Sequence, residues 1–274
     1  MARALPSRFW GDLKTTDFEH IDAAKTVAVL PVGATEQHGP HLPLRVDQLL
    51  VDTILAAALP QLPADAPVLV LPTQAVGYSP EHSRFAGTLT LPASAVIDTW
   101  VHIGECVAAA GVKKLLLFNA HGGQVSLLDI AARELRTRAN MVVYGCSWWN
   151  LPLGAEVEGL FTADEHRFGV HAGEIETSLL LAIEAGLVDM KAAMNFGSTS
   201  RDRSAQYPIL GNGKSAKLGW HMQDYNPQGA AGNAAAATAD KGRRVLDAAA
   251  QQLALLLQEL SALPLSTLVD RPAK

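Results

Sequence analysis

Val27-Ala28-Val29-Leu30 is an uninterrupted apolar run, and a strand with no polar side to turn outward must be covered on both faces. That demand recurs along the chain. Val68–Leu71, Lys114–Phe118 (KLLLF) and Met141–Tyr144 read as further short apolar strands. Helical spacing fills the gaps: Asp47–Leu59 until Pro60 and Pro63, Ser94–Gly111 with its closing glycine, and Val125–Arg138. Strands alternating with helical patterns of about ten residues or more predict an α/β fold, a mostly parallel sheet with helices on both faces. No internal repeat and no linker interrupts it, so residues 1–274 read as a single domain.

In such sheets functional groups collect beyond the carboxyl ends of the strands. Here each exit carries unusual chemistry, more than a random scatter of nine histidines would give. Pro31 and Gly33 are expected to stop the first strand, and Glu36, His38, His41 and Asp47 follow. Two imidazoles and two carboxylates there are costly to hold unless something pairs them. A divalent metal would do so, and these donors suit zinc, manganese or iron(II) alike. His41 reads as a residue that orients a ligand. The second exit carries Glu81 and His82, the third Asn119 and His121, and the fourth the adjacent Trp148 and Trp149.

Further on, HAGEIETSLLLAIEAG places Ile175, Leu179, Leu180 and Ile183 on one helical face, with Gly186 closing it. His171, Glu174 and Glu176 sit at its first turn. A carboxylate there is favourable on dipole grounds alone, so Glu174 reads as a cap. The same dipole disfavours protonation of His171 and leaves a neutral imidazole ready as ligand or base. Residues 197–232, rich in Gly, Ser, Asn and Pro, read as a long loop with a functional or interface role around Trp220, His221 and Tyr225. A last helix over Ala234–Leu260 is packing, and residues 1–20 are a lead-in anchored by Trp10 and Phe18.

Composition narrows the partners. The chain is 49% hydrophobic, 18% charged and carries a net charge of −5 without long runs of one sign, so neither nucleic acid nor a membrane surface is expected. No run approaches the roughly 18 apolar residues of a membrane span, and the first residues lack the apolar core of a signal peptide. Two cysteines without CxxC spacing predict no structural disulfide and a cytoplasmic location. NAHGGQVS lacks dinucleotide-turn spacing, and no GxSxG elbow marks a serine hydrolase.

Four motifs, PVGATEQHGPHLPLRVD, EHSRFAGTLTL, NAHGGQ and HAGEIETS, resemble the creatininase (creatinine amidohydrolase) family in order and content. The resemblance implies a three-layer α/β/α sandwich, a two-metal hydrolytic site and a homohexamer built as a trimer of dimers. It assigns Glu36, His38, Asp47 and His121 as metal ligands, with Asp47 bridging two ions (Zn, Mn or Fe) about 3.5 Å apart. His171 and Glu176 match a histidine and a glutamate lining the same site, as proton-transferring residues. Trp148 or Trp149 falls near a substrate-facing tryptophan. Creatininase proper carries a tyrosine and a metal-binding glutamate where this chain has Gly122 and Gly123. Members with the glycine pair include deformylases and peptidases of a precursor peptide. Glu176 is then the candidate for the missing metal-binding carboxylate, and creatinine is not the expected substrate.

The expected activity is hydrolysis of a cyclic amide or formamide in a small polar molecule by a metal-activated water. Tyr78, Trp148 and Trp149 would wall the pocket, with Glu81 and His82 either joining them or serving a subunit contact. Hydrolysis of another bond, peptide trimming, and a non-catalytic metal-binding assembly protein are the competing readings.

Overall fold

The computed structural model describes residues 5–271. Its strands β1 (Val27–Val32), β2 (Val68–Val70), β3 (Lys114–Asn119) and β4 (Val142–Ser147) form one parallel sheet ordered β2-β1-β3-β4. The longer helices are α1 (Val46–Ala58), α2 (Ala93–Ala109), α3 (Val125–Ala139) and, after the short α4 (Ala155–Glu158) and α5 (Ala163–Phe168), α6 (Glu174–Glu184). Then come α7 (Thr199–Gln206), α8 (Met222–Tyr225) and α9 (Ala239–Ala262).

Every residue of β1 and β3 is buried, as the unbroken apolar runs require. Alternation along the strands sends Leu30, Val32 and Leu117 to one face, where Trp100 and Val101 of α2 and Leu135 of α3 cover them. It sends Val29, Leu116 and Phe118 to the other, under Leu50 of α1, Leu179 of α6 and Leu253 of α9. The result is the α/β/α sandwich. Leu116 is fully buried at its centre. Leu116→Ala should lower the unfolding free energy by about 2–5 kcal/mol, measured as a reduced midpoint in urea at unchanged slope.

Three local expectations are corrected. Pro31 does not stop β1, because the last β2 pair is Val29 with Val70 and the missing N–H falls beyond it. The Pro31 carbonyl still accepts from Gln74 N at 2.9 Å. Residues 197–232 are not one loop: they hold α7, α8 and part of a small antiparallel pair, β5 (Asn195–Phe196) with β6 (Gly232–Asn233). The last helix starts at Ala239, where the Thr238 hydroxyl accepts from Lys241 N at 3.3 Å. Trp10 and Phe18 do pack together, with ring centroids 4.7 Å apart, while the first four residues of the lead-in lie outside those described. Among the described residues no helix is long and apolar enough to cross a membrane.

Two close approaches fix the helices that carry chemistry. α9 lies so near α6 that a Cβ on Gly242 would stand 1.9 Å from the carbonyl oxygen of Ser178. The buried carboxylate of Glu174 pairs with Lys241, joining the N-terminal turns of the same two helices.

Candidate metal centre

The carboxyl ends of the strands and the first turns of two helices deliver one cluster. The segment after β1 brings Glu36 and His38, and the first turn of α1 brings Asp47. Glu81 and His82 follow β2, His121 follows β3, and His171 with Glu176 arrive at the start of α6. All are buried except Glu176, which is half-buried.

Asp47 divides its oxygens. Oδ1 lies 3.4 Å from His38 Nε2, and Oδ2 lies 3.4 Å from His121 Nδ1. Glu36 Oε1 is 3.2 Å from His121 Nδ1 and 3.8 Å from His171 Nδ1. Donor atoms of Glu36, Glu81 and His121 lie within 4.8 Å of one another, as do those of His38, Asp47 and Glu176, and those of Glu36, His38 and His171. Glu36 Oε2, His38 Nε2, Asp47 Oδ2 and Glu81 Oε1 are buried without any hydrogen-bond partner. Unpaired buried polar atoms are costly. Four in one place, carboxylate oxygens and an imidazole nitrogen, are the donor set a divalent transition metal takes.

The electrostatics are those of a centre that exchanges protons for metal. Burial works against charge on His38, but Asp47 beside it prevails and raises its pKa to about 9. Burial likewise opposes charge on His121, and Glu36 and Asp47 push it well above the ordinary value. Burial raises Glu36. It also raises Glu176, to about 7. Burial and the charge on His38 hold His171 far below its usual range. Metal entry would displace the protons on His38 and His121, making affinity rise with pH.

Supporting bonds hold the donors in place. Asn119 accepts from His121 N at 3.0 Å and donates to its carbonyl at 2.8 Å. Gln124 ties Asn119 to the Gly33 carbonyl with bonds of 2.9 and 3.1 Å. Ala172, at a φ of 51°, turns the chain so that its N–H reaches Glu176 Oε2 at 2.6 Å, which leaves Oε1 for the cavity.

Several sequence expectations land elsewhere. The Tyr78 ring packs on the core beneath α2 and α3 and does not line the cavity; only its carbonyl serves the site, accepting from His121 Nε2 at 2.9 Å. His41 orients no member of the cluster: it bonds Thr177 Oγ1 at 2.9 Å and stacks on Phe196. The carboxylate capping α6 is Glu165, not Glu174, with Oε1 accepting from Glu174 N at 2.6 Å and Oε2 from Asn233 N at 2.8 Å. Glu81 fills the space beside the glycine pair, since a Cβ on Gly123 would stand 1.7 Å from its Oε1. Glu176 groups with His38 and Asp47. Gln37 and Glu165 also support the site, and Trp220, from the segment given a functional or interface role, lines the cavity. Gln37 sits between two proposed ligands and was legible as the polar residue inside EQH.

A cavity of about 470 Å³ opens over the cluster, walled by Trp148, Trp149, Trp220 and His166. Past the two tryptophans, whose rings meet edge to face at 6.0 Å, a second chamber of about 440 Å³ is lined by Leu151, Leu153, Val157, Phe161 and Val245.

His41 gives a pH test. Burial holds its pKa near 4, below the ordinary 6.5, so its contribution to stability is complete above pH 6.5 and is lost as the pH falls toward 4. The stability difference between wild type and His41→Gln, from urea melts, should therefore shift against the wild type across that interval.

The sequence pattern of the creatininase family, described as creatinine amidohydrolase, matches residues 11–257. A mycofactocin precursor peptide peptidase of Mycobacterium ulcerans is 31% identical over 242 residues, 86% of either chain. A creatinine amidohydrolase of Pseudomonas putida is 31% identical over 198 residues, 67% of this chain and 75% of the relative. A solved structure described as "Creatininase Mn" superposes with a TM-score of 0.73 at 26% identity, covering 92% of this chain and 98% of the other.

Proposed function

Because this chain belongs to the creatininase family of hydrolases, we propose that it is a metal-dependent amidohydrolase that cleaves a C–N amide bond of a small polar substrate over a two-metal centre. One observation carries the reading: Asp47 turns one oxygen to His38 and the other to His121, as a carboxylate shared between two ions would. His38, Asp47 and Glu176 would hold one ion, and Asp47, Glu36, His121 and Glu81 the other. When bound, such ions polarise an amide carbonyl and bring the pKa of water toward about 7.

The chain's own residues do the rest. Glu176, beside the cluster with Oε2 accepting from Ala172 N, would pass a proton from the attacking water to the departing nitrogen. His171 Nδ1 is the other basic atom at the cluster. Trp148, Trp149 and Trp220 exclude water and offer flat walls to a planar substrate.

The test is elemental analysis of protein purified without chelator, followed by a panel of cyclic and formyl amides. Two ions per chain, with released amine or formate, supports the reading. One ion removes the bridging role of Asp47, and no ion even after reconstitution removes the mechanism. Glu176→Gln should lower kcat by about 100-fold or more if Glu176 carries the proton, and His171→Gln should do so if His171 does.

The apolar chamber favours a second reading, in which the amide belongs to a peptide or acyl chain whose apolar group passes the tryptophan pair. The similarity to a peptidase of a precursor peptide supports it. Cleavage of short peptides ending in apolar residues, with formamides untouched, would select it. The reading includes the hexamer, which light scattering at six chain masses would check.

A further inference from the structure

Among the four histidines that meet at the cluster, one differs from the others in where its proton must sit. A carbonyl oxygen only accepts, so a ring nitrogen bonded to one carries the hydrogen. His38 Nδ1 bonds the Glu36 carbonyl at 3.0 Å, His121 Nε2 the Tyr78 carbonyl at 2.9 Å, and His171 Nε2 the Gln37 carbonyl at 2.7 Å. In the neutral ring each therefore presents its other nitrogen bare, fit for a metal or a proton.

His82 is the inverse. Its Nδ1 lies 2.7 Å from Gln37 Nε2, an amide nitrogen with no lone pair to offer. That amide cannot be turned round: its nitrogen also donates to the Gly229 carbonyl at 2.9 Å, and its oxygen accepts from Gly39 N at 2.9 Å. His82 Nδ1 must accept, and the single proton is on Nε2. This Nε2–H looks toward the cluster, 3.4 Å from Glu36 Oε1, at a cavity wall edged by Trp220. A nitrogen that carries hydrogen holds no cation, so His82 is excluded from the ligand set although its ring lies against that of His171, tilted by 32° with centroids 4.2 Å apart.

We propose that His82 is the cavity's hydrogen-bond donor to the substrate carbonyl oxygen as that oxygen gains charge, and that Gln37 is the positioning residue that fixes the donor tautomer. The assignment rests on the amidohydrolase reading. A donor placed where charge develops strengthens its bond during reaction, which is how such groups raise rates. One residue, Gln37, sets both neighbours oppositely: its carbonyl leaves His171 with a bare Nδ1, and its side chain gives His82 a protonated Nε2. The Gly229 carbonyl links the distant 226–232 segment to that choice.

The test uses the zinc-loaded full chain and needs no substrate. Long-range proton–nitrogen correlation spectra of 15N-labelled protein should show His82, assigned by its loss in His82→Phe, with a protonated Nε2 and a bare Nδ1. Gln37→Glu, which sets a carboxylate opposite Nδ1, should move the proton to Nδ1 or protonate both nitrogens. Methylphosphonate, a tetrahedral oxyanion, then probes the donor by titration calorimetry. His82→Phe should weaken it roughly 10- to 100-fold, the worth of a hydrogen bond to a charged group, while His82→Gln, which keeps an N–H there, stays within about 3-fold. Zinc content should match the wild type in both. A bare Nε2 in the wild type, or undiminished methylphosphonate affinity in a folded His82→Phe, overturns the inference. Loss of zinc from His82→Phe overturns it as well, since His82 would then be supporting Glu36. Should His82→Phe not fold, Gln37→Glu and His82→Gln carry the same comparison. A wild type that takes up no zinc overturns the amidohydrolase reading itself; zinc uptake with any of the other failures overturns only this one.

Discussion

Asp47→Asn should leave the fold intact, remove bound metal and cut turnover by at least roughly 10³-fold, beyond the 10- to 100-fold lost when only a ligand's supporting partner is removed. The expectation follows from where Asp47 stands. It occupies the first turn of α1, buried, with His38 on one oxygen and His121 on the other. The same carboxylate raises both imidazoles, so its charge organises protonation across the cluster. Asparagine keeps the shape and removes the charge, so circular dichroism should match the wild type while elemental analysis does not. An Asp47→Asn chain with wild-type metal and turnover would end the shared-carboxylate reading.

The second large effect is on stability. Gly242→Ala lies within α9, where replacing glycine by alanine ordinarily favours the helix by about 1 kcal/mol. Here the sign reverses. The added Cβ would stand 1.9 Å from the carbonyl oxygen of Ser178 and 2.9 Å from the amide nitrogen of Leu179. Those are backbone atoms, and no side chain can rotate out of the way. We expect a net loss of about 3 kcal/mol, the upper end of overpacking costs, measured by urea unfolding. Because α6 opens with Glu174 and Glu176, moving its axis should also weaken metal retention. A variant as stable as the wild type would show that the two helices separate freely.

Much of this was legible in the chain, and the rest fails for identifiable reasons. Strands buried on both faces announce themselves as apolar runs, so β1 and β3 and the covering helices were readable, and with them the edge where Glu36, His38, Asp47 and His121 meet. What periodicity lacks is direction. Tyr78 lies between Gly77 and Ser79 in an irregular segment, and composition does not say that its ring turns to the core while its carbonyl turns to His121. Nor does sequence reveal partners far along the chain: Gln37 meets Gly229, and Glu165 meets Glu174 and Asn233, only after the layers are assembled. Pro31 misled because a missing N–H matters only where a neighbouring strand is present to use it.

The slot beside His121 has one tenant. A Cβ at position 123 would stand 1.7 Å from Oε1 of Glu81 as it now lies, so a side chain there would have to turn the end of Glu81 aside. Sorting related sequences by the residues at 81 and 123, rather than by overall identity, would test whether the two positions change together.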